Sequence, residues 1–131
     1  MTTIRPFYWL LFFLLFLPGH AWSAPITSMM APEAFALLQR QPRTFLLDVR
    51  TPGEYLQLRL AGATLIPIDQ FLARAGEVPK DRPILVYCAV GSRSSQVANY
   101  LASQGYQEVY NLTGGIWGWQ LRGYPVLQGP P

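Results

Sequence analysis

Histidine and cysteine are almost missing. The 131-residue sequence holds one of each, His20 and Cys88. A single cysteine excludes an intramolecular disulfide, and without histidines around it there is no Cys/His zinc site. Lysine is equally scarce, with Lys80 alone, and no run of basic residues occurs although the formal net charge is +3. The electrostatic footprint of a nucleic-acid binder is therefore absent. Charged residues make up only 13% against 50% hydrophobic, which excludes a disordered charged tail. The length allows one domain and no second sizeable core.

Part of the apolar excess stands at the start. Every residue from Tyr8 to Leu17 is apolar or aromatic, Arg5 precedes the run, and Pro18-Gly19-His20-Ala21-Trp22-Ser23-Ala24 interrupts it. A basic start, a short apolar stretch and small residues beyond a helix breaker have the form of a secretory signal. The stretch is about half the roughly 20 residues that a bilayer span requires. Residues 1–23 are therefore expected to be a cleaved signal, with the cut after Ala21 or Ser23, and residues 24–131 the domain. This makes the chain periplasmic or secreted, with no stable membrane span after cleavage. The alternative is an uncleaved inner-membrane anchor that leaves the domain facing the periplasm. Cleavage also removes His20, so every catalytic scheme with a histidine base is excluded.

The remainder alternates helical and extended patterns. Helices are expected over Pro32–Arg40, with proline in the first turn, over Tyr55–Leu58 after the turn Thr51-Pro52-Gly53-Glu54, and over Gln70–Ala75. In the last of these Asp69 is the expected cap, Phe71 and Leu72 point inward, and Gly76 ends the helix. Two more helices are expected over Ser94–Gln104, with Val97, Ala98, Leu101 and Ala102 on one face and Gly105 as the stop, and over Gly115–Leu121. Trp117 and Trp119 are expected to pack that last helix. Short apolar runs predict strands over Phe45–Val49, Thr64–Ile68, Ile84–Tyr87 and Glu108–Leu112. Apolar strands alternating with helices indicate an α/β fold with a mainly parallel sheet covered on both faces; these patterns do not give the strand order.

Cys88 stands where an apolar strand ends and a turn leads into a helix, the edge at which open α/β sheets bind ligands. The turn is Cys88-Ala89-Val90-Gly91-Ser92-Arg93-Ser94. Gly91 permits a bend that aims several N–H groups at one point, and the next helix adds its unpaired amides. A thiol inside such a ring has its pKa lowered, because its thiolate is the anion the ring favours. Arg93 adds a positive charge. Taken alone, a cysteine at a strand end is equally well explained as an inert core residue; the spacing to Gly91 and Arg93 favours a reactive thiol. Asp48 and Glu54 read as ion-pairing or hydrogen-bonding residues, since no second carboxylate stands at a spacing suited to acid–base work.

These residues resemble the single-domain rhodaneses, specifically the exported kind typified by phage-shock protein E. The resemblance runs from about Ile26 to Val126. It is carried by Leu47-Asp48-Val49-Arg50 with Glu54-Tyr55, by Gly62-Ala63, by the loop Cys88-x-x-Gly91-x-Arg93-Ser94, by Leu112-x-Gly114-Gly115-x-x-x-Trp119 and by Gly123-x-Pro125-Val126. It implies a rhodanese-like fold, a five-stranded mainly parallel sheet flanked by helices, and Cys88 as the residue that becomes a persulfide. Ala89, Val90, Gly91, Ser92, Arg93 and Ser94 are then the expected substrate-binding residues, with Asp48, Arg50, Glu54 and Arg59 as structural support. Arg59 is a departure, because family members commonly carry a histidine there.

The implied activity moves sulfane sulfur from thiosulfate to cyanide or a thiol, with no cofactor and no metal. Three other readings stay open. A persulfide carrier that docks on a partner protein would have the same loop, and so would an inactive rhodanese-like module. Phosphate-ester chemistry on related folds needs one residue more than the four between Cys88 and Arg93. In an oxidising compartment an activated thiol is exposed to oxidation, so Cys88 is expected at the bottom of a small pocket open to small anions.

Overall fold

The computed structural model describes residues 25–131; the expected signal segment and its cleavage point lie outside the described residues. Five strands, β1 (Thr27–Met29), β2 (Phe45–Asp48), β3 (Thr64–Leu65), β4 (Ile84–Tyr87) and β5 (Val109–Leu112), form one sheet in the order β1-β5-β4-β2-β3. Every pairing is parallel. The helices are α1 (Ala31–Arg40), α2 (Pro52–Gln57), α3 (Phe71–Arg74), α4 (Ser92–Ser103) and α5 (Gly115–Leu121), with single 3-10 turns at Ile68–Gln70 and Ala75–Glu77. No helix among the described residues is long and apolar enough to cross a membrane.

The period of two in β4 explains the layering. Ile84, Val86 and Cys88 enter a core with Val97, Ala98 and Leu101 of α4 and Phe71 of α3. Leu85 and Tyr87 enter the opposite core with Ala34 and Leu37 of α1 and Ile116 and Trp119 of α5. All four β4 residues are buried, as expected of a central parallel strand. The sheet delivers its chain turns to one edge, and Cys88 lies on that edge.

Several expectations shift. The apolar patterns marked four strands, and the fifth is β1, whose Thr27-Ser28-Met29 carries no apolar run and pairs only at the sheet's margin with β5. β3 ends at Leu65 rather than Ile68, since Pro67 has no N–H for a ladder and the chain turns into a 3-10 helix. α2 starts at Pro52, not Tyr55, because Thr51 and Glu54 form a reciprocal capping box. Asp69 is not a cap. It lies inside a 3-10 turn, and Gln70 precedes α3 without a side-chain cap. On this four-residue helix Phe71 and Leu72 cannot share a face; Phe71 is buried and Leu72 is 73% exposed. Trp119 packs against Phe35 and Tyr124, whereas Trp117 is 63% exposed.

Candidate active site

α4 begins at Ser92, two residues before the expected start, because Gly91 at φ +108° takes its N-cap position. The loop between β4 and α4 is thus only Cys88 to Gly91. A left-handed φ of this kind suits glycine alone. The tight bend returns the chain over the sulfur: Gly91 N donates to Cys88 Sγ at 3.1 Å and Ser94 N at 3.4 Å, while Ser94 Oγ lies 3.3 Å away.

The carbonyls at the start of this loop are held by the segment that follows β5. Ile116 N donates to the Cys88 carbonyl at 2.9 Å and Trp117 N to the Ala89 carbonyl at 3.2 Å. The first turn of α5, whose N–H groups lack partners within the helix, therefore pulls these carbonyls outward. Since C=O and N–H of one peptide point in opposite directions, holding the Ala89 carbonyl turns the Val90 amide toward the sulfur, where it joins those of Gly91 and Ser94. Such close packing requires Gly115. Its φ is +57°, and a β-carbon there would collide with the Ala89 carbonyl. The Gly91 carbonyl accepts from Ser95 N at 3.1 Å and from Asn111 Nδ2 at 3.3 Å.

Cys88 is fully buried, more enclosed than the floor of an open pocket. Burial by itself pushes its thiol pKa up. Hydrogen bonds from the Ser94 hydroxyl and from the amides of Ser94, Gly91 and Val90 outweigh that, and the net direction is down. The ring of N–H groups expected around the sulfur is present without any basic side chain touching it.

Arg93 is engaged elsewhere. Its terminal nitrogens donate to both carboxylate oxygens of Glu54 at 2.8 and 2.9 Å, a bidentate pair that links α4 to α2. The guanidinium, set against the cost of partial burial and helped by Thr51, holds the Glu54 pKa down at about 2. Asp48 and Arg50 form a second, buried pair. The Arg50 guanidinium donates to both Asp48 oxygens at 2.7 to 3.2 Å, donates to the Leu58 carbonyl and lies over the Tyr87 ring. Tyr87 in turn accepts from Leu60 N at 3.1 Å, so this network ties β2, β4 and the segment after α2 together at the site's edge. Arg59 stacks on Tyr55 and donates to the carbonyls of Tyr55 and Gly129. Its backbone pairs with Leu127 in both directions at 2.9 and 2.8 Å, which ties the C-terminal segment to the end of α2.

Of the residues expected from the sequence, Cys88, Val90, Gly91 and Ser94 converge on the sulfur. Ala89 contributes its backbone, Ser92 is exposed in the first turn of α4, and Arg93 meets Glu54. Asn111 and Gly115 were not foreseen as site residues. A polar side chain inside the buried strand β5 was the available signal for Asn111, and the Gly114-Gly115 pair was the signal for the close approach. Among the described residues, no three His, Cys, Asp or Glu side chains gather where a metal would sit.

Residues 31–122 match the rhodanese-like domain family. A sulfurtransferase of Allochromatium vinosum is 43% identical over 82 residues, covering 63% of this chain and 77% of its own. The thiosulfate sulfurtransferase GlpE of Tolumonas auensis is 37% identical over 94 residues, covering 72% of this chain and 88% of its own. Among solved structures, a rhodanese-related protein of Thermoplasma volcanium aligns with a TM-score of 0.70 at 30% identity, over 77% of this chain and 97% of its own. The rhodanese-like domain of an Anabaena protein also aligns with a TM-score of 0.70, at 31% identity, over 79% of this chain and 80% of its own.

Proposed function

The chain belongs to the rhodanese-like domain family, and on that premise we propose that it is a sulfurtransferase that carries sulfane sulfur on Cys88. The observation that carries the reading is the sulfur ring: a buried thiol with its pKa lowered, held by two backbone amides and a hydroxyl in the short loop between β4 and α4.

The thiolate attacks the outer sulfur of thiosulfate. The new Cys88 S–S bond forms as the donor's S–S bond breaks, and the electron pair leaves with sulfite. Because sulfite departs as an anion, the step needs no acid and no histidine. The terminal sulfur of Cys88-S-S⁻ then carries the charge, stabilised by fixed N–H dipoles that need little reorganisation. Cyanide or a thiol takes the outer sulfur and restores the thiolate. Ser92 N and Arg93 N, in the first turn of α4, have no partner within the helix and add to its positive end next to the ring. Asp48, Arg50 and Arg59 hold the surrounding edge and take no part in bond making. The proposal includes the exported, phage-shock protein E-like type, with residues 1–23 as a signal and residues 24–131 as the domain delivered to the periplasm or beyond.

A second reading is a persulfide carrier serving a partner protein. It is favoured by exposed Val90 at the loop and exposed Trp117 in the segment that holds it. Initial rates with thiosulfate and cyanide separate the possibilities. Two half-reactions at one thiol predict parallel double-reciprocal lines, abolished by Cys88→Ser. Fast sulfur loading with poor turnover on cyanide identifies the carrier; turnover that survives Cys88→Ser contradicts both.

A further inference from the structure

Arg93 is the cation closest in sequence to the thiol, yet its charge is already matched. Both of its terminal nitrogens engage Glu54, and each side chain of the pair is 31% exposed. Glu54 is not a loose counter-ion. Its Oε1 accepts from Thr51 N at 3.2 Å and Thr51 Oγ1 at 3.1 Å, while Glu54 N donates to Thr51 Oγ1 at 3.2 Å. The capping box of α2 thus fixes the carboxylate against Arg93. Arg50, at the same edge, is closed by Asp48 at 2.7 Å. Both arginines are ion-paired in place, and the groups that contact the sulfur itself are N–H dipoles and the Ser94 hydroxyl. Dipolar potential decays faster with distance than that of a net charge. It stabilises one negative charge lodged in the ring and does little for a second carried outside it. Arg93 lies near enough to the thiol to interact with its charge, so a second negative charge outside the ring comes up beside the Arg93–Glu54 pair, where the carboxylate cancels the guanidinium.

We propose that Glu54 is a specificity-determining residue that tunes the sulfur site to singly charged sulfane-sulfur donors, organic thiosulfonates and persulfides, in preference to doubly charged thiosulfate. The inference rests on the sulfur-transfer reading above and concerns the donor of that same site. The chemistry balances for the simplest such donor, methanethiosulfonate. The thiolate bonds to its outer sulfur, the donor's S–S bond breaks, and the electron pair leaves with methanesulfinate. The product is Cys88-S-S⁻, and no proton or outside oxidant takes part.

The test compares second-order rates of sulfur loading, read by quenched intact mass, for thiosulfate and methanethiosulfonate. Wild-type protein, Glu54→Gln and Thr51→Ala are measured side by side. Glu54→Gln keeps an acceptor for Arg93 and removes the charge. It is expected to raise the thiosulfate rate relative to the methanethiosulfonate rate by about tenfold, a modest value for one partly screened unit charge. Thr51→Ala loosens the cap and leaves the charge pair, so its ratio is expected to stay within about twofold of wild type, the range of uncharged changes outside the reacting atoms. The ratio cancels any common loss of thiolate or of fold. An unchanged or lower ratio in Glu54→Gln overturns the proposal, as does an equal rise in Thr51→Ala. If neither donor loads the wild-type protein, sulfur transfer itself fails and the selectivity falls with it.

Discussion

At Cys88 two opposing effects meet, burial that disfavours the thiolate and a ring of donors that favours it. The donors prevail because three of them are fixed by backbone geometry and cost little further ordering. Ser94 contributes twice, through its amide and its hydroxyl, and the hydroxyl alone is removable. Ser94→Ala is therefore expected to move the pH midpoint of Cys88 alkylation upward, because the thiolate loses a donor and the thiol does not. Alkylation by a small reagent at pH 7 should slow about tenfold, the lower end for losing one hydrogen bond to a charged group. A pH–rate profile of alkylation measures both, and an unmoved midpoint would mean that the amides suffice. At this scale the sequence was informative where type and spacing coincide, as at Cys88, Gly91 and Ser94. It was silent on the Glu54–Arg93 pair, whose members stand 39 positions apart, and on Asn111, whose partner is a backbone carbonyl.

The elements that position the sulfur are β4, the start of α4 and the start of α5. Two of the three were readable. Ile84–Tyr87 is an unbroken apolar run, and Gly115–Leu121 forms the expected helix within its expected bounds. The helix after Cys88 begins two residues before its sequence pattern does, because Ser92 and Arg93 carry no apolar signal and the left-handed Gly91 sets the boundary. The elements that the sequence pattern does not mark correctly are short. β1 has three residues and α3 four, too few for a periodic pattern to establish itself. The contact between the start of α5 and the cysteine loop predicts the effect of one methyl group. Gly115→Ala places a β-carbon against the Ala89 carbonyl at a φ that alanine resists. The expected loss is about 3 kcal/mol of stability, combining strain and overpacking, together with loss of the lowered Cys88 pKa. Urea denaturation measures the first and alkylation rates the second; a stable variant whose thiol keeps its lowered pKa would show that α5 does not shape the loop.

Across the whole molecule, parallel strands with helices on both faces bring segments far apart in sequence to one edge. The cysteine loop, the capped start of α2 and the turn before α5 meet there, and the two charge pairs brace it. The α/β class was legible from alternating patterns, and the five-stranded count followed from the resemblance rather than from those patterns. The strand order was not legible, since apolar runs look alike wherever they sit in a sheet. The function proposed for this edge is to make Cys88 carry sulfur. The most direct measurement is the intact mass of reduced protein after brief exposure to thiosulfate, beside a Cys88→Ser variant. A gain of one sulfur atom, reversed by cyanide and absent from the variant, is the predicted result. An unchanged mass in freshly reduced protein, or an equal gain in the variant, would contradict it.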